Sequence, residues 1–401
     1  MTKISRKKFL EISVLASTSI LIPKFLAGTG NHITTGNKKK GRKLIVIQLS
    51  GGNDGLNTFI PYGDDLYYKY RPLMGYKPEE IIKIDEHMGL NPVMKPFEKL
   101  LKDGDACIIN QVGYPNPDRS HFRSMDIWTT GSDANQYFET GWLGRYLDHY
   151  CNNCNSSHVA MEVDDVLSLA LKGEHIKGLA IKNPQRIFQA TRDPFFREIT
   201  RVIDPGQHEQ LSYLAKTMIE TSASAEYIYN HSKIFKSKNA YPDFQVGERM
   251  RTVAELICSG SETQIYYISI TGFDTHVRQK PTQERLLNLL SESLASMVAD
   301  LKANDLFDST LIMAFSEFGR RVEENASLGT DHGAGNNLIL IGGGLRKHGF
   351  WNEPPDLNNL TAGDLTYKVD FRKIYSTILE KWLNTDPTPV MGTHFDSLNF
   401  I

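Results

Sequence analysis

Six side chains able to do chemistry crowd one stretch, Ser309–Gly344: Ser316, Glu317, Arg320, Arg321, Asp331 and His332. Carboxylates and imidazoles hold divalent cations, and arginines clamp oxyanions in bidentate fashion. The same mixture recurs upstream, with Asp54 in SGGNDGLN, Ser120, His121 and Arg123 in DRSHFR, and Asp274 and His276 in GFDTH. Residues two apart on an extended chain share a face, so Asp274 and His276 can both reach one cation. Pro115 and Pro117 bar helix until about Asp118, which puts Ser120 near a helix start. Free amides there favour a bound anion or a developing oxyanion. His121 and Arg123 are adjacent groups for a proton or an anionic substrate. Each cluster also has an ordinary explanation as a turn, an N-cap or a surface charge. The recurrence argues for a site.

Every cluster borders a short apolar run. Lys43–Leu49, Ala106–Val112, Gln264–Ile270, Thr310–Phe315 and Asn337–Ile341 are continuous runs of the kind that form strands buried on both faces. Between the third and fourth, Leu286, Leu289, Leu290, Leu294, Met297, Val298 and Leu301 recur at helical spacing, which predicts a crossover helix over 281–306. In an open α/β sheet, ligands gather at the carboxyl ends of the strands. Strands ending at Asp54, Asp274 and Glu317, with another beginning just after Asp331 and His332, therefore predict a parallel sheet with its acids and histidines on one edge.

The remaining sequence sets bounds. The 401 residues, 40% of them apolar, are enough for a substantial core. Lys+Arg 45 against Asp+Glu 47 gives no reason to expect nucleic acid as a partner. Arg6, Lys7 and Lys8 precede an apolar run, Ile12–Leu26, in the manner of an export signal over residues 1–30. SRKKFL is similar to the twin-arginine signal except that Lys7 replaces the second arginine, which leaves ordinary secretion or a retained anchor as other routes. A basic linker over 31–42 follows, and residues 43–401 read as one domain with an insertion at about 138–250 that covers the sheet. Export would place Cys107, Cys151, Cys154 and Cys258 in an oxidising compartment. CNNC at Cys151–Cys154 can be a redox pair, half of a zinc site or a local disulfide; without a second CxxC, a structural or inert role is preferred.

The segments KLIVIQLSGGNDGLN, RSHFRSMDIWTTG, GFDTH, LIMAFSEFGRR and GTDHGAGNNLILIGGG, with VDFRKIYSTILEKWL near the C-terminus, resemble the exported bacterial family of domain of unknown function 1501. That family is itself similar to the alkaline phosphatase and sulfatase superfamily. The resemblance implies an alkaline phosphatase-like α/β fold, a mostly parallel central sheet with helices on both faces. It also implies one or two divalent ions (zinc, manganese or calcium) held among Asp54, Asp274, His276, Glu317, Asp331 and His332. Ser120 falls at the nucleophile position. Phe318 stands where the superfamily has a metal-binding histidine, which weakens the second metal site. A second alignment pairs Asp331 with His332 and makes His348 the last histidine.

The expected function is that of a metal-dependent hydrolase of phosphate or sulfate esters, periplasmic or extracellular. Ser120 or a bound water would attack a small-molecule or glycan ester, His121 and Arg123 would assist, and Arg320 or Arg321 would clamp the oxyanion. The alternative is a secreted binding protein that keeps the fold without turnover. The export machinery is a further expected partner, through the N-terminal signal.

Overall fold

The structure, a computed structural model, describes residues 41–150, 157–194, 196, 198 and 209–401. The expected export signal, most of the basic linker and the Cys151–Cys154 pair lie outside the described residues. Among the described residues nine strands form the central sheet: β1 (Lys43–Ser50), β2 (Ala106–Gly113), β3 (Ala160–Glu162), β4 (Leu179–Ala180), β5 (Ile265–Thr271), β6 (Thr310–Phe315), β7 (Asn336–Ile341), β8 (Gly349–Phe350) and β9 (Val369–Asp370). Their spatial order is β8-β2-β7-β6-β1-β5-β3-β4, with β9 also pairing β2. The central strands are flanked on both sides, which is why their sequences are apolar without interruption.

The strands run parallel except β7, which is antiparallel to both β2 and β6. The sheet is thus mostly parallel, as expected, and of the five predicted runs β7 is the antiparallel exception. An antiparallel strand starts where its parallel neighbours stop, so the entry to β7 lays Asp331 and His332 along the carboxyl edge of the sheet. The region at 138–250, expected to cover the sheet and shape the pocket mouth, also extends the sheet. β3 pairs with β5, and β4 with β3, both parallel.

Side chains alternate between two cores, one on each face. Ile45, Ile47 and Leu49 pack with helices α1 (Lys95–Lys102), α4 (Gln245–Cys258) and α5 (Gln279–Ala303), through Phe97, Val253, Leu290 and Leu294 among others. Leu44 and Val46 face the opposite way, toward α2 (His121–Thr130), α3 (Trp142–Tyr150) and α6 (Phe371–Thr377). On that second face Trp128 of α2 is stacked between Phe315, ring centres 4.9 Å apart, and Phe371, 4.3 Å apart. α2 is thereby fixed against the end of β6.

Cys107 and Cys258 are free, and burial raises both thiols to about 12, so neither is a reactive thiolate. No helix among the described residues is long and apolar enough to cross a membrane.

Candidate metal centre

Three strand-end loops meet on the carboxyl edge, and they meet closely. Gly51, just after β1, has φ +119°, and a Cβ there would lie 2.3 Å from the backbone nitrogen of Asp274. No other residue fits that approach. Its amide donates to Glu317 Oε1 over 2.7 Å, which ties the end of β1 to the end of β6. The segment between β6 and β7 is pinched shut at its stem. Gly319 N donates to Ala334 O (2.9 Å), Gly333 N to Gly319 O (2.9 Å) and Arg321 N to Asp331 O (2.9 Å).

Three imidazoles and one carboxylate converge inside this frame. His276 Nε2 lies 2.9 Å from Asp274 Oδ1 and 3.0 Å from His332 Nε2. From the same Asp274 oxygen, His332 Nε2 is 3.3 Å away and His121 Nε2 is 3.4 Å away. The far nitrogen of each ring already has an acceptor. His121 Nδ1 faces Glu317 Oε1 at 2.9 Å, His276 Nδ1 faces Asp331 Oδ1 at 3.3 Å, and His332 Nδ1 faces the backbone carbonyl of Arg119 at 2.8 Å. Carbonyl and carboxylate oxygens only accept, so protons on the Nδ1 atoms would satisfy them and leave the Nε2 atoms, which face Asp274, to ligate a cation.

This arrangement fits a metal ion. Lone-pair nitrogens 3.0 Å apart, as in His276 and His332, repel unless a proton or a cation lies between them. His121 Nε2 is buried and has no hydrogen-bond partner. A tetrahedral zinc site with ligands roughly 2.0–2.1 Å from the ion would have ligand–ligand edges of about 3.3 Å. His121, Asp274 and His332 offer ligand atoms all within 4.8 Å of one another, and His276 Nε2 lies beside them, 3.0 Å from His332 Nε2. Phe318, buried, forms an apolar floor 4.8 Å from the ring centres of both His121 and His332.

The charges are set by the same contacts. Burial would raise the Asp274 carboxyl, yet Arg320 and His332 bring it down to about 2, so it stays ionised. The hydrogen bond to Glu317 raises His121, while burial lowers His332 and favours its neutral, ligating form. Glu317, wholly buried, takes its bonds from His121, Gly51 and Ser316. Glu317 and Asp331 therefore stand behind imidazoles, where the sequence suggested direct ligands.

Other expected residues land elsewhere. Asp54 is sealed in a buried pair with Arg71, 2.7 Å from Asp54 Oδ2, and with the Gln279 amide, because a helical turn and the start of α5 close over it. Arg123 is spent on Asp126, on the carbonyls of Asp133, Ala134 and Gln136, and on the face of Tyr137, so it cannot reach a substrate from this position. Arg320 faces inward, and only Arg321 of the pair is partly exposed, beside Asp364 at 3.4 Å. Ser120 is exposed at the N-cap of α2 with no side-chain cap bond. Arg119 is the residue that sequence reasoning missed. Its carbonyl anchors His332, and its guanidinium shares Asp364 with Arg321. A backbone acceptor leaves no mark in a sequence. A 520 Å³ cleft lined by Trp351, Glu353, Tyr367, Lys368, Asp370 and Lys373 contains none of the cluster residues.

A model of the family described as "Protein of unknown function (DUF1501)" matches residues 105–398, well over half of the sequence. The chain belongs to the DUF1501 family. No curated protein matches this DUF1501 chain significantly. Among solved structures it is similar to the PsFucS1 sulfatase from Pseudoalteromonas sp., with 11% identity, TM-score 0.41, and coverage of 90% of this chain and 71% of that one. It is also similar to a protein in the alkaline phosphatase superfamily from Vibrio parahaemolyticus, with 12% identity, TM-score 0.38, and coverage of 98% and 78%. A third likeness is to the C-terminal periplasmic domain of EcEptC from Escherichia coli, in complex with Zn, with 10% identity, TM-score 0.37, and coverage of 76% and 74%.

Proposed function

We propose that this DUF1501 protein is an exported, metal-dependent hydrolase of phosphate or sulfate esters. One observation carries the reading: the Nε2 atoms of His121, His276 and His332 all lie within 3.4 Å of the Asp274 carboxylate, with every Nδ1 anchored from behind. His121, Asp274, His276 and His332 would hold the ion, and an imidazole-rich donor set suits zinc or manganese better than calcium. A bound divalent ion supplies Lewis acidity at neutral pH.

The chain's own residues supply the rest. The Ser120 hydroxyl sits free at the N-terminus of α2, next to His121, and is the nucleophile in this reading. The amides of the first turn of α2 favour the negative charge that develops on a transferred group. Arg119 and Arg321, both partly exposed and sharing one buried carboxylate, bring surplus positive charge for the substrate's oxyanion. Glu317 and Asp331 keep His121 and His276 in the tautomer that ligates. Export rests on the charged and apolar N-terminal residues, and fractionation of tagged cells tests it.

The alternative, a secreted binding protein without turnover, draws support from the internal commitments of Asp54, Arg123 and Arg320. Turnover of p-nitrophenyl phosphate and p-nitrophenyl sulfate by wild type, Ser120→Ala and His332→Ala decides between them. The hydrolase reading expects activity that disappears in both variants and returns in neither on adding metal. Wild type that binds zinc yet turns over no ester in a broad phosphate and sulfate panel leaves the binding protein standing.

A further inference from the structure

The Arg320 side chain is wholly buried, and its guanidinium is wrapped in oxygen. Nε donates to Gly52 O at 2.6 Å, Nη1 to Thr330 O at 2.9 Å, and Nη2 to Gly51 O, to Phe273 O at 3.0 Å and to Asp274 Oδ1 at 2.8 Å. Those oxygens come from the ends of β1 and β5 and from the loop that enters β7. Four carbonyls and a carboxylate are the donor set of a hard cation such as calcium, which takes six to eight oxygens. Here a permanently charged side chain fills it. Nη1 also lies 3.4 Å from His276 Nε2, so the guanidinium borders the point where the imidazoles converge.

We infer that Arg320 determines which metal the centre accepts: as a resident cation it occupies the oxygen acceptors and neutralises Asp274, leaving the imidazole nitrogens to one zinc-like ion and excluding calcium, magnesium and a second ion. The inference rests on the metal centre of the proposed function, and it adds to the preference of the imidazoles an exclusion of hard cations from the neighbouring oxygens. Hard cations need anionic oxygen to offset their dehydration, and the one carboxylate within reach is already paired. Zinc binds neutral imidazole well and tolerates a shared carboxylate.

The test is equilibrium dialysis of the full chain against zinc, calcium or magnesium, read by elemental analysis. Wild type should hold one zinc per chain and no calcium or magnesium. Arg320→Ala should bind zinc about 10–100-fold more weakly, as happens when a partner behind a ligand is lost, and should gain a calcium site with a dissociation constant on the order of 10⁻⁴–10⁻³ M. That new site should vanish in Arg320→Ala/Asp274→Asn. Arg320→Lys, which keeps the charge, should still reject calcium, and it serves if the alanine variant does not fold. Two zinc ions per wild-type chain, wild-type calcium binding lost in Asp274→Asn, or a folded Arg320→Ala that takes no calcium overturns the inference and leaves the metal centre intact. Wild type that binds no metal overturns both together.

Discussion

Two aspartates stand at the ends of adjacent strands of one sheet, each held by a buried arginine, and they have opposite fates. Asp54, after β1, is 1% exposed and locked to Arg71, whose side chain is equally buried. Asp274, after β5, is 48% exposed although its partner Arg320 is wholly buried. The first pair faces Asn57, Gln279 and Gln283, neutral groups that bond Asp54 Oδ2, its backbone carbonyl and Arg71 and leave Asp54 Oδ1 buried without a partner. The second faces three imidazoles. An aspartate–arginine pair at a strand end thus reads as scaffold or as chemistry according to what lies on its open side. Glu162, last residue of β3, is a third case. It is buried, its nearest donor is the Ser168 amide, and burial raises it to about 7.

Removing one member of each pair should separate them. Arg71→Ala leaves Asp54 charged and unpaired in the interior and should cost about 3–5 kcal/mol in urea unfolding. Asp274→Ala should cost less than half of that, because Arg320 keeps four carbonyl acceptors. It should nevertheless abolish metal binding, read by elemental analysis. A larger stability loss from Asp274→Ala than from Arg71→Ala would erase the distinction between scaffold and site.

Glu162 extends the comparison to pH. Its carboxyl is raised in the folded state, so the native protein holds a proton that the unfolded chain gives up first. Stability therefore falls as pH rises from about 4.5 toward about 7 and levels off above that, by at most about 3 kcal/mol. Glu162→Gln should flatten this part of the profile and raise the melting temperature at pH 8. An unchanged slope in melts taken between pH 5 and 8 would show that Glu162 is not the buried acid that titrates.

Smaller effects sharpen the open side. Glu317→Gln keeps an acceptor for the Gly51 amide but loses the charge behind His121, and should weaken zinc by about 10–100-fold in competition with a chelator. The least effect should come from Arg119→Ala or Arg321→Ala, taken singly. Each should raise KM about tenfold for an anionic ester, roughly 1.4 kcal/mol, with kcat and zinc content nearly constant. A fall in zinc content in Arg321→Ala would move that residue from the substrate to the metal.

The strands that carry these residues were legible because central strands must be apolar throughout, and their ends were marked by Gly, Asp and Ser. The gathering of Asp274, His276 and Glu317 on one edge follows from that, whereas Asp331 and His332 join them only because β7 runs antiparallel. Roles within the gathering are not legible in this way. Nothing near Asp54 announces that Arg71, in YRPLMG, will turn back and seal it, since that contact depends on how a short helix packs. Glu317 and Asp331 read as ligands because a carboxylate beside a metal and one behind a histidine have the same sequence. In the sequence His121 reads as an accessory to Ser120; its place as a third imidazole depends on α2 docking beside β6. β3 and β4, three and two residues long, are too short to show a period.

The aromatic stack that fixes α2 has a consequence for observation. His121 and Trp128 ride the same ten-residue helix, and the Trp128 ring is clamped against Phe315, the last residue before Ser316 and Glu317. The indole and the imidazole are two ends of one rigid lever. Any shift of His121 toward or away from an incoming ion tilts the indole against its neighbours, and near-ultraviolet circular dichroism is sensitive to such stacking. The protein therefore carries its own optical gauge of the centre, with no label to attach.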